Sequence, residues 1–384
     1  MNRLFLVLFF LTLKAHALTC NFRSHEALGR LVLDQVQDLN CRNPKRVHLT
    51  FDDGPQTEFT PLLLRELNLR RVRSTFFVST TNIAPGRNTQ RGIVSSIMDS
   101  GHTVGSHGHR HDAYDLRLNS SGQRVSQPLT PEEQEDEIKL STTYLNQATA
   151  NRYSRQTPLL FRFPYGRGAL PSDSELDELE RRGTMRLPSS DRPNRLREYR
   201  RLSAPLHSIA SQGYGHLLWN HDSQDSTASA PANTLQAKAN FVTQNLRGLC
   251  SSSQTDIVSL FHDTKSFNPE VIAVLIDLGQ CLGMNFVDAR TILQSQSILN
   301  HATFIPREII QSAPIAQLDS ITEILRNIGP DCEEKSEPAP GSCFSQSLNR
   351  YFADCESGSV SICLQGSWYQ KTEQKIQECR SRGL

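Results

Sequence analysis

The chain has 384 residues and carries 41 Lys and Arg against 40 Asp and Glu, a formal net charge of +1 at pH 7. Nucleic acids and anionic membrane surfaces select basic proteins, so this balance gives no reason to expect either as a partner. Function must therefore be sought in local motifs rather than in overall charge.

The N-terminus has the composition of a secretory signal peptide. Arg3 precedes an apolar run, Leu4–Leu13, and Ala15-His16-Ala17 follows as a small-residue cleavage site. The run is shorter than the roughly 20 apolar residues that a membrane span needs. We therefore predict a signal peptide at 1–17 and a secreted or periplasmic protein with no stable membrane span; a retained N-terminal anchor is the alternative.

Extended and helical patterns alternate after a leader segment at 18–45. The β-type runs lie near 46–51, 72–78, 103–107, 159–163, 215–219, 256–261 and 284–288. Helix-like stretches fall between several of them, at Glu58–Asn68, Gly92–Asp99, Pro131–Gln147, Asn233–Leu246 and Pro269–Leu282. This alternation predicts an α/β fold with a parallel sheet or barrel.

Two adjacent carboxylates, Asp52 and Asp53, end the first of these β-type runs, and Gly54-Pro55 can turn the chain directly after them. Like charges this close repel, so the pair persists most easily beside a cation or a guanidinium. Because side chains alternate along a strand, one carboxylate can hold a metal while the other moves protons. The alternative interpretation is a strand that ends in an Asp-Gly turn.

Four histidines lie in the segment 101–111, and His107 and His111 are four residues apart. That spacing puts both on one side of a helical turn or tight loop. A lone histidine usually has a structural role, but an aspartate with two histidines is a recurring ligand set for divalent metals. The cluster therefore indicates a metal site.

Taken together, five ordered motifs resemble those of the polysaccharide deacetylases, the NodB-homology enzymes of carbohydrate esterase family four. The motifs are Thr50-Phe51-Asp52-Asp53-Gly54-Pro55, His107-x-x-x-His111, Arg162-Phe163-Pro164-Tyr165, Asp222-Ser223-Gln224-Asp225 and Leu260-Phe261-His262. The resemblance covers about residues 46–292, which we assign as the catalytic domain. It implies a distorted seven-stranded (β/α) barrel with the site at the strand ends.

The resemblance also implies a role for each residue of the metal half of the site. Asp53, His107 and His111 would hold a divalent metal, Zn²⁺ by preference, with Co²⁺ or another divalent ion as alternatives. Asp52 would act as general base toward the attacking water. Arg162 would pair with Asp52 and keep it ionised.

The remaining motif residues would serve the leaving group and the oxyanion. By the same resemblance, the backbone N–H of Tyr165 would stabilise the oxyanion, and His262 would protonate the departing amine. Asp225 would orient His262. An amine must gain a proton as its C–N bond breaks, so a separate acid is chemically required.

The implied reaction is deacetylation of an N-acetylhexosamine polymer. Peptidoglycan is the preferred substrate and a chitin-like glycan the next, and no protein partner is implied. An O-acetyl polysaccharide esterase of the acetylxylan type and a carbohydrate-binding protein without turnover are the alternatives. Three departures from the family pattern bear on the site: Gly108, His109 between the two ligands, and Ser226 where a tryptophan is common.

The nine cysteines all follow the predicted signal peptide, at 20, 41, 250, 281, 332, 343, 355, 363 and 379. In a secreted protein they are expected to form disulfides, with Cys20–Cys41 and Cys250–Cys281 as the local pairs. The odd total leaves one thiol unpaired or one bridge intermolecular.

Two segments are additions to the predicted barrel. The stretch 186–213 is polar and rich in arginine, and we interpret it as a solvated surface loop. A lid or sugar-binding wall is the alternative. Residues 293–384 are predicted to form a small Cys-rich C-terminal extension.

Overall fold

The structure, a computed structural model, describes residues 20–298 apart from 42–43, 184–185, 188–190, 228–232 and 296. Of the later chain it describes only the backbone of four short strands. The predicted signal peptide and nearly all of the predicted C-terminal extension therefore lie outside the described residues.

Fourteen strands are described along the chain. They are β1 Arg46–Asp52, β2 Thr75–Val78, β3 Thr103–Ser106, β4 Arg117–Leu118, β5 Arg124–Ser126, β6 Leu160–Phe161, β7 Gly215–Leu217, β8 His221–Asp222, β9 Asp256–His262, β10 Asn285–Phe286, β11 Thr303–Phe304, β12 Glu334–Lys335, β13 Cys343–Ser345 and β14 Arg350–Phe352.

Nine of these strands form the main sheet, in the order β11-β7-β6-β3-β2-β1-β9-β8, with β10 also paired to β1. Every pairing in it is parallel except that of β11 with β7. The seven predicted β-type runs are β1, β2, β3, β6, β7, β9 and β10, so the predicted parallel sheet is confirmed. Strand β8 was not predicted. The fold is the distorted (β/α) barrel of the deacetylase type.

Ten α-helices accompany the sheet. They are α1 Glu26–Gln35, α2 Phe59–Leu69, α3 Asn88–Asp99, α4 Pro131–Ala148, α5 Asp173–Arg181, α6 Arg192–Leu202, α7 Ala204–Ser211, α8 Leu235–Ser251, α9 Asn268–Cys281 and α10 Ala289–Ile292. Short 3₁₀ turns occupy Thr80–Ile83, Tyr153–Arg155 and Pro164–Gly166. The five predicted helices correspond to α2, α3, α4, α8 and α9.

Strand β1 lies in the middle of the sheet and is buried over Val47–Asp52. Its aliphatic and aromatic residues suit a strand that is covered on both faces. In the register of the sheet, Asp52 lies opposite His262 of β9 and Phe77 of β2. The pairing alone therefore brings the first and last sequence motifs to the same edge.

The N-terminal segment corrects the predicted disulfide pairing. Helix α1 packs against α8 and α9, and the bridges are Cys20–Cys281 and Cys41–Cys250, with Cα–Cα distances of 5.7 and 4.7 Å. The predicted local pairs were wrong because the ten-residue helix α1, about 15 Å long, separates Cys20 from Cys41. Cys20 instead bonds to Cys281 at the end of α9, and Cys41 bonds to Cys250 near the end of α8.

The predicted surface loop at 186–213 was also wrong. Most of it forms α6 and α7, each begun by a side-chain cap from Asp191 or Ser203 and an early proline. Tyr199 of α6 is buried and donates a hydrogen bond to Asp115 at 2.5 Å. Arg195 pairs with Asp177 and Glu180 of α5 at 2.8 and 2.9 Å. Arg195 thus links α6 to α5.

Within the described part of the chain, no helix combines the length and apolar character that a bilayer crossing requires.

Candidate active site

A cavity of about 440 Å³ opens at the carboxyl ends of the parallel strands. Brought together at its wall are the predicted site residues Asp52, Asp53, His107, His111, Tyr165 and His262. Carboxyl ends of parallel strands share one edge of a sheet, which is where such folds bind ligands.

Asp53, His107 and His111 converge on one point. One ligand atom from each lies within 4.8 Å of the other two. Asp53 Oδ1 is 3.0 Å from His111 Nε2 and 3.4 Å from His107 Nε2. This oxygen is shielded from solvent, and no described group meets it with hydrogen-bond geometry. A buried carboxylate oxygen without a donor calls for a cation.

The second nitrogen of each imidazole shows which atoms face that point. His107 Nδ1 lies 2.7 Å from the backbone oxygen of Arg162, and His111 Nδ1 lies 3.1 Å from the hydroxyl of Tyr165. A carbonyl oxygen only accepts, so Nδ1 of His107 carries the hydrogen and Nε2 of the neutral ring presents a lone pair to Asp53. Fixing a ligand imidazole through its other nitrogen is typical of metal sites.

The charge balance around His107 agrees with a cation there. Burial opposes protonation of this ring, but the negative charges of Asp52 and Asp53 outweigh it and raise its pKa. Two carboxylates facing an imidazole lone pair require positive charge between them, from a proton or from a metal. The donor set of one carboxylate and two imidazoles fits a divalent ion such as Zn²⁺.

Asp52 is anchored by a buried guanidinium. Its Oδ1 accepts a hydrogen bond from Arg162 Nη1 at 2.8 Å, while its Oδ2 lies 3.7 Å from His107 Nε2. Arg162 is fully buried and also donates to Thr50 Oγ1 at 2.8 Å and to the backbone oxygen of Leu217 at 2.8 Å. One oxygen of Asp52 is thus held by Arg162, and the other faces the histidine side of the site.

His262 lies on the opposite side of Asp53, with its Nε2 4.0 Å from Asp53 Oδ2. Its Nδ1 is 2.7 Å from Asp225 Oδ1, and Asp225 Oδ2 accepts from the backbone N–H of His262 and from Asn268, both at 2.8 Å. Burial opposes the charged ring, but the hydrogen bond that the ring donates to Asp225 and the surrounding carboxylates raise the pKa of His262 to about 9. The arrangement holds a protonated imidazole with Nε2 toward the cavity.

Several of these residues have a left-handed backbone that non-glycine residues rarely adopt. Asp53, His111 and Tyr165 have φ values of 73°, 61° and 59°. Each such conformation costs on the order of 1–3 kcal/mol and persists where the surrounding structure enforces it. Their concentration around one cavity is typical of a functional site.

Residues 39–184 match the model of a protein family that is described as polysaccharide deacetylase. Over that range the chain is similar to the polysaccharide deacetylase family. The matched residues include the cluster of Asp53, His107 and His111. They also include Asp52, Arg162 and Tyr165. Asp225 and His262 lie outside the match; the structure places His262 at the same cavity and Asp225 behind it, bonded to its Nδ1.

Several known proteins match part of this chain. A chitin deacetylase of Colletotrichum lindemuthianum is 44% identical over 98 residues, and a peptidoglycan-N-acetylglucosamine deacetylase of Bacillus cereus is 32% identical over 124 residues. These matches cover 25% and 32% of this chain and 38% of each relative, so the chain spans well under half the length of either. The catalytic domain of a peptidoglycan N-acetylglucosamine deacetylase from Eubacterium rectale is 22% identical, with a TM-score of 0.42 over 65% of this chain and 91% of that one.

The three departures from the family pattern have distinct positions. Gly108 has a φ of 78°, a conformation that favours glycine, which accounts for its presence there. His109 does not join the ligand cluster, because its Nδ1 lies 3.0 Å from Thr80 Oγ1 and its ring packs on Tyr144. Ser226 lines the cavity, as its place in the motif predicts.

Sequence reasoning missed two side chains of this candidate site. Asn268 supports Asp225, and Arg117, from the hairpin of β4 and β5, stacks on the ring of Tyr165 at 3.7 Å. The two strands of that hairpin have only two and three residues, too few to show a periodic pattern. The position of Arg117 could therefore be found only from the folded chain.

Proposed function

We propose that this protein is a metal-dependent hydrolase that removes acetyl groups from N-acetylglucosamine-type residues of an extracytoplasmic polysaccharide, with peptidoglycan as the preferred polymer. The proposal rests chiefly on one observation. Asp53, His107 and His111 converge on one point, and a carboxylate held by arginine and an imidazole held by aspartate flank it.

Asp53, His107 and His111 would hold the divalent ion, Zn²⁺ by preference, with Co²⁺ or another divalent ion as alternatives. When bound, such an ion supplies Lewis acidity toward the acetyl carbonyl and the attacking water. Asp53 contributes negative charge, and the two imidazoles contribute neutral donors whose orientation is fixed through Nδ1.

Asp52 is proposed as the general base. Arg162 holds Oδ1 through a hydrogen bond, so that Oδ2 is left to accept a proton from the attacking water. A carboxylate positioned in this way contributes about 10²–10⁴-fold to the rate. Arg162 therefore acts through Asp52 as a positioning residue.

His262 is proposed as the general acid. With Nδ1 bonded to Asp225, its Nε2 carries the proton that the departing amine needs. The backbone N–H of Tyr165 is assigned to the oxyanion, where one donor contributes about 3–4 kcal/mol. Each step of amide hydrolysis thereby has a residue of this chain assigned to it.

Two observations support the proposed substrate and the proposed location outside the cytoplasm. The names of the Colletotrichum and Bacillus cereus relatives are those of deacetylases of chitin and of peptidoglycan N-acetylglucosamine. The two disulfides, Cys20–Cys281 and Cys41–Cys250, are of the kind that persists in oxidising compartments, in agreement with a protein that acts outside the cytoplasm.

The test measures acetate released by the purified, zinc-loaded protein from peptidoglycan, chitooligosaccharides and acetylxylan. We expect release from the two N-acetylated polymers, and Asp52→Asn should lower it at least about 100-fold while the protein keeps its metal. The matched control is Asp222→Asn, since this cavity carboxylate accepts its hydrogen bond from the backbone of Gln224 and should retain most of the activity.

The outcomes separate the alternatives. Wild-type rates in Asp52→Asn would refute its role as base. Release from acetylxylan alone would assign an O-acetyl esterase. Glycan binding by the metal-loaded protein without acetate release from any polymer would identify a binding protein without turnover.

A further inference from the structure

The hairpin of β4 and β5 places an arginine at the cavity without an acidic partner. Arg117 is half-buried, lines the cavity, and has its guanidinium carbon 3.7 Å from the centre of the Tyr165 ring. Within the described residues, its side chain makes neither a hydrogen bond nor an ion pair. Half-buried arginines usually have a carboxylate to bind, so this one has an unused fork of donors.

The neighbouring cations differ in this respect. Arg162 is committed to Asp52 at 2.8 Å, and Arg167, which also lines the cavity, is committed to Glu175 at 2.9 Å. Arg117 is therefore the cavity arginine, among the described residues, whose charge is not neutralised by an acid. Its charge is available to a ligand.

The stacked ring fixes where that charge lies. Tyr165 also contacts His111, with ring centres 4.6 Å apart and its hydroxyl 3.1 Å from His111 Nδ1. The guanidinium, the phenol and the metal-binding imidazole thus form one contiguous series. A group bound by Arg117 would therefore lie in the same cavity as the acetyl group that the site would hydrolyse.

From this geometry we infer that Arg117 selects an anionic glycan by binding a carboxylate carried next to the N-acetyl group that is removed. The inference rests on the proposed function and narrows its substrate class from N-acetylated polysaccharides in general to those with a carboxylate on or beside the reacting sugar. The stacking on Tyr165 holds the guanidinium in place before the ligand arrives, which reduces the entropy lost on binding.

The test uses one polymer in two charge states. Oligomers of alternating N-acetylglucosamine and N-acetylmuramic acid, stripped of peptide, carry free lactyl carboxylates, and converting these to methylamides removes the charge at nearly constant shape. The wild-type protein should deacetylate the charged oligomer with a KM about 10- to 100-fold lower, the range of a charge-assisted hydrogen bond. Arg117→Gln should abolish that preference by raising the KM for the charged oligomer to that for the methylamide oligomer.

Two variants control for charge and for the hairpin. Arg117→Lys should keep part of the preference, because it retains the charge but not the planar fork. Arg124→Gln makes the same change on the partner strand and should behave as wild type, because the hydrogen bond that Arg124 makes among the described residues is to the backbone oxygen of Ser126 in its own strand. If Arg117→Gln keeps the full preference, or if the wild-type protein has none, the inference is wrong.

A binding measurement distinguishes this failure from failure of the proposed function. The Asp52→Asn protein, loaded with zinc, is titrated with both oligomers by calorimetry, alone and combined with Arg117→Gln. A preference for the charged oligomer that needs Arg117 supports the inference even if the wild-type protein releases no acetate. Equal binding of both oligomers overturns the inference even if acetate is released.

Discussion

Replacing Arg162 by methionine should destabilise the protein strongly, and replacing Asp52 as well should recover part of the loss. Arg162 is fully buried, and Asp52 is 3% exposed. The single change leaves the carboxylate of Asp52 in the interior without its cation. It also removes the donor to the backbone oxygen of Leu217.

The magnitude follows from these contacts. Removing one partner of a buried ion pair costs about 3–5 kcal/mol, since the other charge remains without compensation. In Arg162→Met combined with Asp52→Asn no charge is left uncompensated, so the double variant should be more stable than the sum of the single effects predicts. We expect an interaction free energy of at least about 1 kcal/mol, within the range seen for contacting pairs.

The assay is urea unfolding at pH 7 in the presence of a chelator, so that bound metal does not add to the stability of some variants only. The matched control is the exposed pair Glu26–Arg30 of α1, whose side chains are 62% and 72% exposed. Its double-mutant cycle should give almost no interaction energy. Additive losses at Asp52 and Arg162 would refute the reasoning that each of the two charges compensates the other.

Two further predictions concern stability. Burial raises the pKa of Asp263 from 3.8 to about 7, so the protonated carboxyl is favoured in the folded protein. The associated stability is present below about pH 4 and decreases as the pH rises to 7, by up to about 4 kcal/mol. Asp263→Asn should therefore gain Tm relative to wild type between pH 5 and 8 without metal, and parallel Tm curves would contradict this. For the disulfides, peptide mapping without reduction should recover Cys20 linked to Cys281 and Cys41 to Cys250, and replacing the first pair by serines should cost about 3–5 kcal/mol. Recovery of Cys20 linked to Cys41 would show the described pairing to be wrong.

The sheet and the convergence of Asp53, His107 and His111 could be predicted because their signals are local. Strands β1, β2 and β9 are short apolar or aromatic runs, and the motif residues Asp53 and His262 stand at or directly after their ends. Parallel pairing then brings those ends to one edge, so that residues far apart in the chain meet without further information. Convergence of Asp53 with His107 and His111 follows from this rule and needs no knowledge of side-chain packing.

The disulfides could not be predicted in the same way. Reasoning from loop closure favours short loops, and it paired Cys20 with Cys41 for that reason. The observed bridges depend on how α1 lies across α8 and α9, which is a property of tertiary packing. Closure entropy changes slowly with loop length, so the packing of one helix is enough to override it.

Local preference fails most clearly at the cavity itself. Asp53, His111 and Tyr165 adopt backbone conformations for which the sequence supplies no glycine, and a reading based on propensity would not place them there. The surrounding contacts enforce these conformations: Asp53 lies against both imidazoles, and Tyr165 contacts both His111 and Arg117. If Arg117 contributes to this enforcement as well as to ligand binding, its charge is set in position by the same strained tyrosine whose N–H is assigned to the oxyanion. Substrate selection and the orientation of the site would then both depend on Tyr165. Residues whose local backbone preference conflicts with the global structure are expected at functional sites.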